Sequence, residues 1–142
     1  MNMPKLTGLF VDTSGWACYI DRADPRHQQT VQICQKAATP NQGLVTTNYV
    51  IAELVALLTT RLRLSRPHVI TIIDLIKAMP CLEILHISPS LDDEAWRLLK
   101  ARDDKTWSQV DATSFVIMTN YSMTEAVTTD HHFLQAGFTR LP

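Results

Sequence analysis

The 142-residue sequence has only four glycines and three cysteines, and it carries no large excess of charge of either sign. The cysteines are odd in number and far apart, which argues against a disulfide framework or a zinc knuckle, so we expect Cys18, Cys34 and Cys81 to be core thiols. Thirteen basic and fourteen acidic side chains leave a formal charge of −1. No overall positive field attracts nucleic acid, and any such binding must use a local patch.

Long hydrophobic runs are also missing. No stretch, including the start of the chain, is long and apolar enough for a signal peptide or a membrane span. Repeats and low-complexity linkers are absent as well, and 46% hydrophobic residues suffice for one core. We therefore expect a single cytoplasmic domain over residues 1–142.

Short strand patterns alternate with helical patterns along the chain. Apolar runs predict strands over residues 6–11, 44–46, 82–87 and 126–129. Helices are predicted to begin at or just after Asn48, Ser65, Ser90 and Ser108. This alternation favours an α/β fold: a three-layer α/β/α sandwich with a mainly parallel, short-stranded sheet, in which ligands bind beyond the carboxyl ends of the strands.

Four acidic residues stand out among the fourteen. Asp12 and Asp130 each end an apolar strand, in LFVD and AVTTD, which predicts that both carboxylates lie at the ligand-binding edge of the sheet. Glu53 lies in the apolar helix YVIAELVALL, and Asp111 lies near the start of the helix after Ser108. Burial of an unpaired carboxylate costs several kcal/mol or raises its pKa. Several buried acids together need cations, and oxygen-rich clusters suit Mg²⁺ and Mn²⁺.

Each acid taken alone has a second interpretation. Asp12 and Asp130 could cap the helices that follow them, and Asp111 could complete a capping box with the serine three residues before it. Glu53 could form a buried ion pair with an arginine such as Arg61 or Arg63. Only the four acids together indicate a metal site.

The four segments LFVDTSGW, NYVIAELVALL, DKTWSQVDATSFVIM and AVTTDHHFLQAGF resemble, in order and spacing, the PIN-domain family, which includes the VapC-type toxins of bacterial toxin–antitoxin pairs. The resemblance spans nearly the whole chain. It implies metal-dependent cleavage of RNA, with Mg²⁺ or Mn²⁺ held by catalytic acids that match Asp12, Glu53, Asp111 and Asp130.

The resemblance also draws attention to polar neighbours of these acids. Ser14 and Thr113 fall where polar residues often accompany the first and third acids, although both could be ordinary turn or cap residues. His131 and His132 depart from an all-carboxylate site. We expect His132 to pack or to form hydrogen bonds near Phe133 rather than to bind metal.

Contacts with RNA would need basic or aromatic side chains near the acids. Two basic clusters are candidates for contacts with RNA phosphates. One consists of Arg61, Arg63 and Arg66, and the other of Lys100, Arg102 and Lys105. Both clusters could equally be ordinary solvated residues at helix ends. Trp107 could stack on a base, but its position just before a helix favours a hydrophobic anchor.

The helices within residues 48–79 are strongly apolar, and core packing is the competing explanation for their apolar faces. Any apolar face that is not buried in the core indicates a binding site for a protein partner. A groove between them could receive an amphipathic helix of an antitoxin or form the contact of a homodimer, which we also expect.

Two other functions fit the α/β pattern. A PIN-like domain without catalysis could bind RNA or protein, but such a module would be expected to lose acids. An aspartyl-phosphate phosphatase or a receiver domain also has an Asp at a strand end. The phosphatase is disfavoured because Asp12 is followed by Thr13 and Ser14, so the second acid of a D-x-D motif is missing. The receiver domain is disfavoured because no lysine ends a late strand.

Overall fold

A parallel sheet of five short strands forms the centre of the computed structural model, which describes residues 8–142. The strands are β1 (Leu9–Val11), β2 (Leu44–Thr47), β3 (Leu82–Leu85), β4 (Glu125–Val127) and β5 (Thr139–Leu141). Their order across the sheet is β3-β2-β1-β4-β5, and every neighbouring pair is parallel. The first strand therefore lies in the middle, between β2 and β4.

Helices connect the strands and cover the sheet. They are α1 (Thr13–Ile20), α2 (His27–Ala37), α3 (Asn48–Thr60), α4 (Arg66–Lys77), α5 (Pro89–Ala101), α6 (Gln109–Asn120) and α7 (His131–Gln135). Every residue of β1 and β2 is buried, as expected for central strands that are covered on both faces. The predicted α/β/α sandwich with a parallel sheet is confirmed.

Aromatic residues fill much of the core near β4 and α6. The Phe115 ring lies edge-on to Phe133, with ring centroids 4.9 Å apart, and edge-on to Trp107 at 5.0 Å. Trp107 is buried and its Nε1 donates to Gln135 Oε1 at 2.9 Å. It is therefore the hydrophobic anchor rather than a free stacking surface for a base.

All four predicted strands are present as β1 to β4, but some of their predicted bounds are wrong. The strand predicted over 6–11 begins at Leu9, and its residues 6 and 7 lie outside the described part of the chain. The strands predicted over 82–87 and 126–129 end two residues earlier, at Leu85 and Val127. Strand β5 and helix α2 were not predicted, because TRL is too short and HQQTVQICQKA too polar to give a clear apolar period.

Two predicted helix caps are displaced. Strand β2 runs one residue further than predicted, so the extended Thr47 caps α3 by accepting from Val50 N at 3.1 Å. Asn48 is already helical, and its Oδ1 accepts from Ile87 N at 2.8 Å instead. Helix α5 begins at Pro89, one residue before Ser90, because proline is favoured in a first turn, and its cap is Ser88 rather than Ser90.

One further expectation about burial is wrong. Cys18 and Cys34 are buried as predicted, but Cys81 is exposed, because it lies in a turn with φ of +62° before β3. None of the helices in residues 8–142 is both long and apolar enough to span a membrane.

Candidate active site

Asp12 and Asp130 meet at the carboxyl edge of the sheet because β1 and β4 are parallel neighbours. Val11 is paired with Val127, and Asp12 N continues the ladder by donating to Val127 O at 3.1 Å. This register places Asp12 beside Thr128, two residues before Asp130. The predicted shared edge agrees with the geometry, but the two acids are not the last residues of strands: Asp12 follows β1 directly, and Asp130 lies three residues beyond the end of β4.

Thr128 links these two acids. Its Oγ1 donates to Asp12 Oδ2 at 3.1 Å and accepts from Asp130 N at 3.0 Å. Because this hydroxyl has given its one hydrogen to Asp12, Ser14 Oγ must donate to it across the 3.0 Å that separates them. Ser14 Oγ also accepts from Thr129 N at 2.9 Å. Ser14 thus contacts no carboxylate directly and reaches the site through Thr128 and Thr129, and the sequence reasoning missed Thr128.

Asp111 is held by the start of α6. Its Oδ2 accepts from Ser108 N at 3.0 Å, while Ser108 Oγ accepts from Asp111 N at 3.0 Å, which is a capping box. The cap and the metal-site interpretations are compatible here, because the cap uses only one of the two carboxylate oxygens. The other oxygen has no protein donor within residues 8–142.

His132 connects Asp111 to Asp130. Its Nδ1 lies 3.0 Å from Asp111 Oδ2 and 3.3 Å from Asp130 Oδ1, and its backbone N donates to Asp130 Oδ1 at 2.9 Å. The imidazole therefore forms hydrogen bonds, as expected, but with two of the predicted acids. Sequence reasoning could have found the link to Asp130 from helix-cap spacing, but not the contact with Asp111 across 21 residues.

Glu53 reaches the same edge from α3. Burial raises the pKa of Glu53, and the negative charges of Asp111 and Asp130 raise it further. The Thr13 hydroxyl opposes this rise, although its Oγ1 is buried without a hydrogen bond of good geometry. No salt bridge of Glu53 occurs within residues 8–142, so the alternative of an ion pair with an arginine such as Arg61 is wrong for the described structure.

Asp12 is the most deeply buried of the four acids. Burial raises the pKa of Asp12 from 3.8 to about 7, and the charges of Asp111 and Glu53 add to this rise. The Thr13 backbone N–H and the Thr128 hydroxyl oppose it only in part. The mutual effects on pKa place all four predicted acids in one electrostatic environment.

The free oxygens of these acids are suited to a divalent cation. Asp12 Oδ1 is buried and has no hydrogen-bond partner, and Asp111 and Asp130 each use only one oxygen for protein donors within residues 8–142. Hard ions such as Mg²⁺ and Mn²⁺ bind oxygen, and outer partners that fix the carboxylates strengthen such binding. The residues present therefore fit a divalent cation.

A second group with metal-binding potential overlaps the four acids. One potential ligand atom from each of Asp130, His131 and His132 lies within 4.8 Å of the others, the only such group in the described part of the chain. The four acids are spaced more widely than this. A cation among them would therefore be held by some of the carboxylates together with water.

Thr113 has a local role. Its Oγ1 donates to Gln109 O at 2.7 Å within the same helix, so its hydrogen is not directed to a carboxylate or to a water at the site. The proposed positioning role of Thr113 therefore has no support in the geometry. The back-bond to the carbonyl four residues earlier is an ordinary arrangement for a helical threonine.

The basic residues near the site are partly neutralised. Arg102 pairs with Asp104 at 3.1 Å and lies over the Trp107 ring at 5.1 Å, and Lys105 lies 3.6 Å from the same Asp104. In the other cluster, Arg61 lines a small cavity of about 170 Å³ together with Ser14 and Thr129. Arg61 thus lies near Ser14 and Thr129, as does Arg26, which lines the same cavity. Arg140, which belongs to neither predicted cluster, donates from Nη1 to Thr129 O at 2.7 Å, directly beside Asp130.

The perturbed pKa of Asp12 predicts how stability depends on pH without divalent cations. A raised pKa means that the folded state binds the proton more tightly than the unfolded state, so ionisation of Asp12 destabilises the fold. We expect the contribution of Asp12 to the free energy of unfolding to be full below pH 4 and to be lost as pH rises to about 7. Urea denaturation in EDTA between pH 4 and about pH 7 measures this pH dependence of the free energy of unfolding. The prediction is contradicted if Asp12→Asn and the wild type show the same dependence on pH.

Comparison with known proteins agrees with this geometry. A family model described as the PIN domain matches residues 9–139. The 23S rRNA-specific endonuclease VapC20 of Mycobacterium tuberculosis is 30% identical to this chain over 130 residues, which are 92% of this chain and 95% of the relative. Its crystal structure, described as a sarcin-ricin loop cleaving toxin, covers 93% of this chain and 97% of its own with a TM-score of 0.79.

A more distant structure shares the fold. VapBC2 from Rickettsia felis, crystallised with a DNA fragment from its promoter, has a TM-score of 0.64 at 14% identity, and the match covers 93% of this chain and 96% of the other.

Proposed function

Because the chain belongs to the PIN-domain family, we propose that it is an endoribonuclease that hydrolyses RNA phosphodiester bonds with the help of a divalent cation, Mg²⁺ or Mn²⁺. The residues that would hold the cation are among four acids, which are Asp12, Glu53, Asp111 and Asp130. One observation carries the proposal: acids from four separate segments share one sheet edge, and protein donors within residues 8–142 occupy only one oxygen of each aspartate.

Electrostatics supports a cation at this place. The buried Asp12 has its pKa raised to about 7, which reflects the cost of collecting negative charge in a desolvated site. A bound divalent cation would supply positive charge that activates water and neutralises the charge developing on the scissile phosphate.

The chain's own residues orient the site. Thr128 fixes one oxygen of Asp12, and Ser108 fixes one oxygen of Asp111, so that the remaining oxygens have a defined direction. Arg61 lies beside Ser14 and Thr129 in the adjacent cavity, where it can bind a neighbouring phosphate of the RNA. The acids hold the cation, and Arg61 holds the strand beside it.

The similarity to VapC20 suggests a class of substrate. That relative is a 23S rRNA-specific endonuclease, and it aligns with 92% of this chain. We propose structured ribosomal RNA as the substrate and a 23S rRNA fragment as the first RNA to test. The proposed setting is the cytoplasm, with residues 1–142 acting as a single nuclease domain.

Cleavage of such an RNA with and without divalent cations tests the proposed reaction. We expect cleavage in Mg²⁺ or Mn²⁺ and none in EDTA. Glu53→Gln removes a charge that faces two other acids, so it should lower the cleavage rate by about 100-fold or more, as expected for the loss of several kcal/mol of charge stabilisation. Asp74→Asn, on the exposed side of α4, is the matched control and should cleave like the wild type. Cleavage at the wild-type rate in EDTA would contradict the proposal.

A groove beside α4 supports an antitoxin as the partner. It has a volume of about 410 Å³, and its apolar lining includes Tyr19, Ile20, Ile72 and Leu75, the last of them 66% exposed. The exposed Arg22 lies at its edge. We propose that an amphipathic antitoxin helix places its apolar face in this groove and an acidic residue beside Arg22.

Replacement of one groove residue tests this partner. Leu75→Asp should prevent capture of a co-expressed antitoxin while RNA cleavage by the isolated chain is unchanged, because Leu75 lies away from the acids. Capture that equals the wild type would overturn the assignment. We also expect the isolated chain to form a homodimer, and size-exclusion chromatography shows whether that dimer uses the same groove. If Leu75→Asp dissociates the dimer, the groove binds a second copy of the chain instead of an antitoxin.

A further inference from the structure

We propose that His132 is a positioning residue of the cation site, which bridges Asp111 and Asp130 and turns their free oxygens toward the cation. This inference rests on the proposed function. Its basis is one imidazole nitrogen, Nδ1, that lies 3.0 Å from Asp111 Oδ2 and 3.3 Å from Asp130 Oδ1. The His132 side chain is only 17% exposed, whereas the neighbouring His131 side chain is 69% exposed.

The hydrogen-bond partners determine which nitrogen of His132 carries the hydrogen. Ionised carboxylates only accept hydrogen bonds, so Nδ1 must be the donor to Asp111 and Asp130. On the other side of the ring, Nε2 lies 3.5 Å from Thr106 Oγ1, a hydroxyl that can donate to it. Thr106 belongs to the loop between α5 and α6, and this loop thus contacts the Nε2 side of the ring, opposite the two acids.

The bridge is needed because the two acids come from segments that are separate in the chain. Asp111 lies in the first turn of α6, and Asp130 precedes α7. Like charges so close to each other repel, and each carboxylate could rotate to move away from the other. The Nδ1–H of His132 attracts one oxygen of each, which leaves Asp111 Oδ1 and Asp130 Oδ2 without protein donors within residues 8–142.

A role for His132 as a direct metal ligand is the competing interpretation. Atoms of Asp130, His131 and His132 lie within 4.8 Å of one another, and imidazole nitrogen is a common metal ligand. In the described structure, however, Nδ1 of His132 is already engaged by two carboxylates. If the two imidazoles were ligands of one ion, loss of His131 would weaken metal binding as much as loss of His132.

Two substitutions at His132 separate a positioning role from a general effect on folding. Asparagine places its amide N–H near the position of Nδ1, so His132→Asn keeps the donor to both acids. Glutamine places its N–H near the position of Nε2, so His132→Gln keeps a polar side chain but loses this donor. His131→Ala is the matched control at the adjacent, exposed position.

The measurement is the affinity for Mn²⁺ alone, followed through the EPR signal of free Mn²⁺, with the melting temperature of each variant as a check on folding. Loss of an outer partner of a metal ligand typically weakens affinity about 10- to 100-fold, and we expect this for His132→Gln. His132→Asn and His131→Ala should bind close to the wild type. Cleavage by His132→Gln should recover toward the wild-type kcat as Mn²⁺ is raised, since the acids themselves remain.

The possible results are distinguishable. Wild-type affinity in His132→Gln, or an affinity in His132→Asn as low as in His132→Gln, would overturn the positioning role. Equal losses in His131→Ala and His132→Gln would also overturn it and would make both histidines ligands. If the wild type itself does not bind Mn²⁺, or if Asp12→Asn binds it equally well, the proposed function fails rather than this inference alone.

Discussion

Replacement of Asp12 with asparagine is expected to abolish RNA cleavage and, at the same time, to make the cation-free protein more stable at neutral pH. Asp12 is buried, and its Oδ1 has no hydrogen-bond partner in the described part of the chain. Loss of this carboxylate removes a proposed cation ligand, so we expect cleavage to fall by about 1000-fold or more. Activity and stability should therefore change in opposite directions, which distinguishes loss of function from loss of fold.

The gain in stability follows from the raised pKa. A shift in the pKa of Asp12 from 3.8 to about 7 corresponds to a cost of ionisation in the folded state on the order of 4 kcal/mol at most. Asparagine has nearly the same shape, and its amide oxygen can still accept the hydrogen bond from Thr128. The gain in unfolding free energy should grow as pH rises from about 4 to about 7 and should then level off.

Urea denaturation at pH 8, with EDTA and then with Mn²⁺, measures this effect beside an RNA cleavage assay. We expect Asp12→Asn to exceed the wild type in EDTA and to gain little from Mn²⁺, whereas the wild type should be stabilised by the ion. The exposed Asp74→Asn should behave like the wild type in both assays. A variant that is less stable than the wild type in EDTA would show that the Asp12 carboxylate is not the source of electrostatic strain.

Replacement of Gly15 with alanine should have the largest effect on folding. Gly15 is buried in α1, directly against β4. An added Cβ would lie 2.1 Å from Val127 O and 2.7 Å from Val127 C, which are backbone atoms in the sheet and cannot move aside. We expect a loss of about 3 kcal/mol or more, because overpacking against a rigid backbone costs at least as much as other insertions into a core.

This substitution should also disturb the site. Helix α1 carries Thr13 and Ser14, and Ser14 Oγ bonds Thr128 and Thr129 at the end of β4, so any displacement of α1 shifts the hydrogen bonds around Asp12. Thermal melting and Mn²⁺ affinity together measure both effects. Gly137→Ala is the control: its φ is +94° but nothing lies within 4 Å of the added Cβ, so only backbone strain of about 1 kcal/mol is expected. Equal melting temperatures for the two variants would contradict the steric explanation.

The edge of the sheet that carries the site could be predicted from the sequence because two physical signals agree there. An apolar run ends directly before Asp12, another ends at Val127, three residues before Asp130, and parallel strands bring their carboxyl ends together. Glu53 was identifiable because its helical neighbours are apolar, which leaves a charged group without an obvious solvated surface. The structure makes Glu53 half-buried rather than fully buried, since Ala52 and Ala56 on the same helix are exposed.

The supporting hydrogen bonds could not be predicted in the same way. Thr128 and His132 act through side-chain directions that depend on the register of β1 against β4 and on the packing of α7 near α6. No local pattern records the contact between His132 and Asp111. Short elements such as β5 were missed for a related reason, because three residues, none of them fully buried, are stabilised by their neighbours in space rather than by their own composition.

Crystals grown with Mn²⁺ and measured at a wavelength where manganese scatters anomalously test most directly whether the four acids form one cation site. We expect an anomalous peak about 2 Å from carboxylate oxygens of Asp12 and of at least one other acid among Glu53, Asp111 and Asp130. We expect no such peak in Asp12→Asn. An occupied peak elsewhere on the molecule, with none among these acids at saturating Mn²⁺, would contradict the proposed site and the nuclease mechanism that depends on it.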